Sequence, residues 1–322
     1  MSALAQDTRT GALPRLRGDL ARRGESTWPR GAVGAHAADG SALYAYPEIA
    51  GYWLHWACRR EDVSSEHGEA VLDWLQRTQL PEGGWPTRVG GSGHDPAYRR
   101  ADYLYDHAIL WHGLREWALQ RHAHRAVALA DAAWEAAGRY LVDGRLVAGR
   151  GALPARWSGC GGPFLLKACA RLRAGRGALA QAAAAAIPAL AALTLAAPHA
   201  EAHPQLYAIE GLLLIGQPAS ARQALEALLA AHGGAAHLCE SLDGGARRSD
   251  VLAQALRAAL LLGLPRSDDW AGLAGELAVR VDAHGRLPFV PFADARPTWA
   301  ALFAEQALSL YAGQSLALED LV

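Results

Sequence analysis

Two kinds of helical segment alternate along the chain. Segments of the first kind are apolar on one side and charged on the other, which predicts half-exposed amphipathic helices. They cover residues 2–23, 65–80, 122–140, 175–195, 218–232 and 266–282. Segments of the second kind are apolar around most of the circumference, which predicts buried helices. They open with aromatic and polar residues in the stretches 44–53, 103–114, 156–166, 203–214, 247–260 and 296–308. The alternation predicts twelve helices in an outer and an inner layer.

The openings of the buried segments recur at intervals of similar length. Taking one marker residue from each opening gives intervals of 58, 54, 47, 43 and 49 residues. The markers are Glu48, Asp106, Cys160, Tyr207, Asp250 and Trp299. A period of this size is typical of helical repeats. An open solenoid would end in polar capping helices, whereas the last helix, 297–312, is strongly apolar. We therefore expect an all-α (α/α)6 toroid with six inner and six outer helices, forming a single domain over residues 1–322.

Three glycines lie early in the buried segments, where a better helix former would ordinarily be preferred. Gly51, Gly113 and Gly211 are therefore interpreted as points of close helix packing or of access to a central cavity. The loops 81–96 and 141–159 are long and rich in Gly and Pro. Loops of that length are typical of functional sites.

One segment resembles a known repeat. LDWLQRTQLPEGGWPTR (72–88) is similar to the Gln-and-Trp segment of prenyltransferase and squalene-cyclase repeats, in which the Gln and the Trp stabilise the junction between helix and loop. A protonating cyclase needs a DxDD-type acid cluster. The nearest string here is SDDW (267–270), which we interpret as the capped start of an outer helix. Terpenoid cyclisation is therefore not expected.

A broader resemblance extends over residues 44–312. In pattern and order, YAYPEIAGYW, YLYDHAILWHGL, HPQLYAIEGLL, RSDVLAQALR and TWAALFAEQAL resemble bacterial toroid proteins of polysaccharide biosynthesis. Glucuronyl C5-epimerases, N-acylglucosamine 2-epimerases and several polysaccharide lyases and hydrolases share that fold. The resemblance implies a sugar or polysaccharide substrate in surface-polysaccharide metabolism, without naming a reaction.

Acidic side chains stand at the openings of four different buried helices. Each could be a helix cap, but charge inside a barrel is costly unless it is paired or used. We therefore expect at least two of the four to face the cavity. A histidine could add an acid or base that titrates near neutral pH. The catalytic candidates are Glu48, Asp106, His107, His203, Glu210 and Asp250.

Aromatic side chains cluster at the same openings. Sugar rings pack on aromatic planes, and their hydroxyl groups need polar partners, so this mixture is typical of a carbohydrate site. The substrate-binding candidates are Tyr46, Tyr52, Trp85, Tyr105, Trp157, Tyr207, Arg248 and Trp299. Arg248 could instead pair with Asp250. Four other tryptophans, Trp53, Trp56, Trp111 and Trp117, are interpreted as core.

Several functions remain open. The resemblance favours epimerisation or elimination at a uronate, which could use Tyr46, His107, His203 and Arg248. Hydrolysis is the alternative and would need two carboxylates about 5–9 Å apart, with Glu48, Asp106, Glu210 and Asp250 as candidates. A non-catalytic glycan-binding or scaffold protein is the alternative of another class. Lanthionine cyclases are also α-toroids, with a Cys, Cys and His zinc site. The possible ligands Cys160, His237 and Cys239 differ from that family in order and spacing, so we expect no metal and no cofactor.

Composition limits the partners. The formal net charge is −1 and no basic stripe occurs, which argues against nucleic acid. The apolar stretch 178–197 is mostly Ala and contains Pro188, so we expect a kinked outer helix rather than a membrane span. The N-terminus has no signal-peptide pattern, and four cysteines without a CxxC motif are typical of a reducing compartment. We expect a cytoplasmic protein; the oligomeric state is left open.

Overall fold

The computed structural model describes residues 11–25, 30–90, 102–150, 162, 164–265 and 267–322. Twelve α-helices occur in these ranges, and the even-numbered ones are buried along most of their length. In chain order they are α1 (Leu13–Ala21), α2 (Pro47–Ala57), α3 (Ser65–Thr78), α4 (Leu104–Arg121), α5 (His124–Gly138), α6 (Leu165–Leu172), α7 (Gly177–Ala196), α8 (Ala202–Leu214), α9 (Pro218–Ala231), α10 (Ser249–Leu261), α11 (Asp268–Arg280) and α12 (Thr298–Tyr311).

The even-numbered helices form a closed inner ring. Each packs against the next in the order α2, α4, α6, α8, α10 and α12, and α12 packs back against α2. The odd-numbered helices lie outside this ring. In α3, Val71, Leu72 and Trp74 are buried while Glu66 and Glu69 are exposed, as the amphipathic pattern predicts. The all-α toroid fold is confirmed, with outer and inner helices in the expected order.

Glycines set the distance between two inner helices. A Cβ atom on Gly113 of α4 would lie 1.9 Å from the carbonyl oxygen of Gly51 in α2, and one on Gly51 would lie 2.7 Å from the Cα of Leu110. Gly211 in α8 is equally close to the backbone of Leu166 in α6. No side chain fits at such separations, so the prediction of close packing is confirmed at all three glycines.

Short antiparallel strands frame the amino-terminal ends of the inner helices. β1 (Gly34–His36) lies between β2 (Ala42–Ala45) and β7 (Arg296–Pro297). The other pairs are β3 (Asp102–Tyr103) with β6 (Gly149–Arg150), and β4 (Leu141–Val142) with β5 (Arg145–Leu146). Because β2 leads into α2 and β7 leads into α12, the three-stranded sheet joins the first repeat to the last.

The helix α7 is long and apolar enough to cross a membrane, by length and composition only; it is the one such helix in the described ranges. It contains Pro188 and packs as an outer helix against α6 and α8.

Candidate functional site at the mouth of the helical ring

A cavity opens at the amino-terminal ends of the inner helices. It encloses about 980 Å³, counting the space at its mouth. Its wall includes residues at the start of α2, α4, α6, α8 and α12 and residues just before α10, together with parts of the connecting loops. The predicted residues that line it are Tyr46, Glu48, Tyr105, Asp106, His203, Tyr207, Arg248 and Trp299.

Two carboxylic acids and a phenol lie together on one wall of this cavity. The hydroxyl of Tyr46 donates to Oδ1 of Asp106 at 3.5 Å. Glu48 lines the same wall, near enough for the charge of Asp106 to raise its pKa and for Tyr46 to lower it. Thr87 donates to the other oxygen of Asp106 at 2.9 Å. Hydrogen bonds therefore hold both carboxylate oxygens of Asp106 in place.

Burial changes the protonation of this pair. Burial raises the pKa of Asp106 to about 7, although the hydrogen bond from Thr87 favours the ionised form and acts to lower it. Burial, and next the negative charge of Asp106, raises the pKa of Glu48 well above its usual value. Two acids at such close range do not both ionise readily. Near neutral pH the pair therefore holds at least part of a proton that an exposed pair would have lost.

The opposite wall holds a charge cluster that is already paired. Arg248 makes a two-pronged contact with Asp250, at 3.0 and 2.6 Å, and donates to Glu240 at 3.0 Å. Trp299 donates to Asp250 at 3.1 Å. Burial opposes ionisation of Asp250, but Arg248 and His203 outweigh it and lower its pKa to about 2. Arg248 was expected either to bind substrate or to pair with Asp250, and the structure shows the pairing. The carboxylate of Asp250 does not line the cavity.

His203 borders this cluster. Its Nδ1 lies 2.7 Å from Oε1 of Gln254, which accepts the proton of that nitrogen. Its ring lies 4.4 Å from the ring of Tyr207, between centroids. Burial lowers the pKa of His203 to about 4, although Asp250 acts in the opposite direction. The imidazole is therefore neutral near pH 7, with its second nitrogen available as an acceptor.

Aromatic rings close the inner end of the cavity. The hydroxyl groups of Tyr52 and Tyr105 lie 2.6 Å apart, and Tyr207 packs at a tilt against Tyr105 with ring centroids 5.1 Å apart. Tyr52, expected to bind substrate, is not part of the lining and lies behind Tyr105 and Tyr207. Phe303 packs edge-on against both Tyr52 and Tyr207. The cavity is thus closed at this end by rings.

Glu210 does not line the cavity, because it is the ninth residue of α8 rather than near the helix start, as the sequence led us to expect. It is fully buried and lies 2.8 Å from Nζ of Lys167 and 2.9 Å from Nε of Arg257. Burial acts to raise the pKa of Glu210, but Arg257 and Lys167 together lower it. Lys167 lies 4.9 and 4.8 Å from the ring centroids of Tyr52 and Tyr207. Glu210 is therefore an ion-paired core residue beneath the aromatic floor.

His107 and Trp85 were also expected in the site, and both lie in a helix–loop junction instead. Trp85 is buried, and its indole donates to the carbonyl of Leu75 at 2.8 Å. Its backbone N–H donates to Nε2 of His107 at 3.3 Å. Gln79 donates to the carbonyl of Gly83 at 3.1 Å. Gln79 and Trp85 therefore stabilise the junction between α3 and the following loop, as the resemblance implied.

Two expectations fall outside the described residues. Trp157 and Cys160 are not described, so the structure does not place them. In the ranges that the structure covers, no group of three or more His, Cys, Asp or Glu side chains is arranged to hold a metal ion.

Several residues of the wall are not among the candidates that the sequence offers. Thr87 and Arg88 come from the loop after α3, and Phe289 comes from the loop before α12. The guanidinium of Arg88 lies 4.2 Å above the ring of Tyr44. These loops carry no repeat pattern. The placement of Thr87 and Arg88 within a long Gly- and Pro-rich loop was the available signal.

The fold resembles sugar-active enzymes and a cyclase. No protein-family model and no curated protein matches the chain. A solved glycosidase is 16% identical over 94% of this chain and 98% of its own, with a TM-score of 0.60. An unsaturated glucuronyl hydrolase specific for heparin is 12% identical over 96% and 97%, with a TM-score of 0.61. A type II terpene cyclase from Scytonema is 13% identical over 95% and 98%, with a TM-score of 0.58. At these identities the likeness establishes the toroid fold.

Proposed function

We propose that this protein is a carbohydrate-active enzyme that hydrolyses a glycosidic bond by acid–base chemistry. The observation that carries the proposal is the Glu48–Tyr46–Asp106 arrangement inside an aromatic cavity. Two-carboxylate glycosidases hold their acids about 5–9.5 Å apart. Glu48 and Asp106 line the same cavity, near enough for the charge of Asp106 to raise the pKa of Glu48.

The surroundings of the two acids indicate which one is the general acid and which one is the catalytic carboxylate. Asp106 accepts from Thr87 and from Tyr46, and both bonds favour a carboxylate. Tyr46 also favours the carboxylate form of Glu48, but burial and the charge of Asp106 still raise the pKa of Glu48 well above its usual value. We infer that Glu48 keeps the proton and acts as the general acid toward the leaving oxygen. Asp106 is then the carboxylate that activates water or attacks the sugar carbon.

The structural neighbours support this choice. Several are named as glycosidases, and one of these is described in complex with glucose. The neighbour specific for heparin is named as a hydrolase. A cavity lined by tyrosines, Trp299 and two carboxylates offers both stacking planes and hydroxyl partners for a sugar. We place the activity in surface-polysaccharide metabolism.

Epimerisation or elimination at a uronate is the second candidate, and one observation favours it. His203 is neutral near pH 7, and Gln254 fixes its Nδ1–H, so its other nitrogen is available as a base. In that chemistry a base removes the proton next to the sugar carboxylate, and Tyr46 could return one.

The reaction products distinguish hydrolysis from epimerisation and elimination. Elimination creates a carbon–carbon double bond that absorbs ultraviolet light, and epimerisation in D₂O places deuterium on the sugar carbon. Hydrolysis does neither.

The test is a panel of neutral and acidic aryl glycosides and oligosaccharides, assayed by released reducing ends, ultraviolet absorbance and deuterium incorporation. We expect reducing ends from wild type, and loss of their release in Asp106→Asn and Glu48→Gln. Val279→Ala, at an exposed position of the outer helix α11, is the control. Saccharide binding without turnover in wild type would indicate a glycan-binding or scaffold protein instead.

A further inference from the structure

Phe292 is fully exposed and lies in an unfavourable backbone conformation. Its exposed fraction is 105%, so no described residue covers its ring. It occupies the third position of the turn Val290–Pro291–Phe292–Ala293, in which the N–H of Ala293 donates to the carbonyl of Val290 at 3.1 Å. Its φ is +63°. Both its exposure and its backbone are therefore unusual for a phenylalanine.

The turn itself calls for a different residue. Proline at the second position and a positive φ at the third are typical of a type II turn, in which glycine or asparagine ordinarily stands third. A bulky side chain there is strained, and an exposed phenyl ring gains no burial that would offset the strain. Strained residues of this kind concentrate at functional sites.

The loop around Phe292 is held in place on both sides. Ser249 donates through its N–H to the carbonyl of Phe289 at 2.8 Å and through its hydroxyl to the carbonyl of Pro288 at 2.6 Å. On the other side, the N–H of Ala38 donates to Oδ1 of Asp294 at 2.8 Å. Phe289 also donates to the carbonyl of Ala295 at 2.9 Å, which closes the base of the loop. The ring is therefore displayed from a fixed support.

This support is part of the cavity wall. Phe289 and Ala295 both line the cavity, and Phe292 is three residues from each. A chain of that length keeps its Cα within about 11 Å of theirs. The guanidinium of Arg248 lies 4.5 Å above the ring of Phe289, and Trp299 packs edge-on against the same ring. Phe292 thus stands next to the mouth, on the loop that also shapes the wall.

We propose that Phe292 is the aromatic platform of a second sugar subsite outside the cavity. The inference rests on the proposed function: one sugar unit enters the cavity, and the next units of the same chain stack on the phenyl ring. A flat, rigidly supported ring beside the site suits the C–H face of a sugar. The substrate class is then an oligosaccharide or polysaccharide rather than a free monosaccharide.

Chain length is the variable that tests this subsite. Wild type, Phe292→Gly and Phe292→Trp are compared on an aryl monosaccharide and on tri- to hexasaccharides of the sugar that wild type turns over. We expect Phe292→Gly to lower kcat/KM for the oligosaccharides about 2- to 13-fold and to leave the aryl monosaccharide unchanged. Phe292→Trp should keep oligosaccharide turnover. Val279→Ala, which alters an exposed apolar residue on α11, is the matched control.

A thermal melt separates this role from a structural one. Glycine relieves the backbone strain, so the Tm of Phe292→Gly should equal or exceed that of wild type while oligosaccharide turnover falls. Equal kcat/KM for Phe292→Gly and wild type on every chain length would overturn the subsite alone. So would an equal loss on the monosaccharide, or sedimentation with anionic lipid vesicles that Phe292→Gly abolishes. Wild type without turnover of any saccharide would overturn the proposed function itself.

Discussion

The hydroxyl of Tyr46 lies 3.5 Å from Oδ1 of Asp106, so a phenol at the start of α2 contacts an acid of α4, and the same phenol acts on the pKa of Glu48. Its hydrogen bonds act to lower the pKa of both acids. Tyr46→Phe should therefore raise both pKa values and shift the pH–rate profile to higher pH. The profile of kcat/KM for wild type and variant measures this shift, and an unchanged profile would count against the shared phenol.

Loss of either carboxylate should abolish most turnover without unfolding the protein. Asp106→Asn and Glu48→Gln are nearly isosteric, and general acid–base catalysis contributes about 10²–10⁴-fold to rate. We expect kcat to fall by that factor in each variant, with an unchanged circular dichroism spectrum. If the double variant were no slower than each single one, the two acids would act as a unit. Wild-type kcat in either single variant would contradict the proposed roles.

Asp106 should also make stability depend on pH. Its pKa is about 7 in the folded protein and 3.8 in the unfolded chain, so the folded state binds the proton more tightly. This contribution is fully present below pH 3.8 and is lost as the pH rises through 7. In that window the free energy of unfolding should fall by up to about 1.4 kcal/mol per pH unit. Urea unfolding at pH 5 and pH 8 should show a smaller difference for Asp106→Asn than for wild type.

The contact between Gly51 and Gly113 predicts a steep cost for one methyl group. In Gly113→Ala the added Cβ would meet the backbone of Gly51, which has no flexible atom to move aside. We expect a loss of about 2 kcal/mol or more, because overpacking forces the two helices apart. Gly138→Ala, at the end of α5 with nothing within 4 Å of the new Cβ, is the control. It should be neutral or stabilising by up to about 1 kcal/mol in urea unfolding.

The buried charges beneath the floor should respond unequally to substitution. Glu210→Gln leaves Lys167 and Arg257 without a carboxylate, and breaking a buried ion pair costs about 3–5 kcal/mol. Lys167→Met leaves Glu210 with its contact to Arg257, so the loss should be smaller. Urea unfolding of the two variants tests the order. A Glu210→Gln protein as stable as wild type would contradict a structural role for this carboxylate.

The sequence predicted the architecture because helix periodicity is a local signal that repeats. The apolar segments without a polar face became the inner ring, and the glycines expected at close contacts are at close contacts. The cavity opens at the end of the ring where the aromatic and acidic helix openings lie. The pairing of β1 with β7 had no such signal, since two- and three-residue strands far apart in sequence leave no periodic pattern.

The site was less predictable, because the position of a residue along its own helix does not determine which side chains of other helices it contacts. Glu48 is the second residue of α2 and lines the cavity, whereas Glu210 is the ninth residue of α8 and does not. Glu210 therefore lies about two turns deeper and meets Lys167 and Arg257, which belong to two other helices. The usable clue was Lys167 itself, the one lysine of the chain, in the middle of an apolar helix. Phe292 gave no clue, because a positive φ is not encoded in residue type.

The closed ring has a consequence for how the protein comes apart. In an open array of hairpins, a terminal unit can fray while its neighbours stay folded. Here each inner helix touches two others, and the sheet of β2, β1 and β7 ties the first repeat to the last. Unfolding of any one repeat breaks two helix interfaces and opens the wall of the cavity. The ring therefore has no terminal repeat that can fray on its own, and local unfolding and loss of the cavity become one cooperative event.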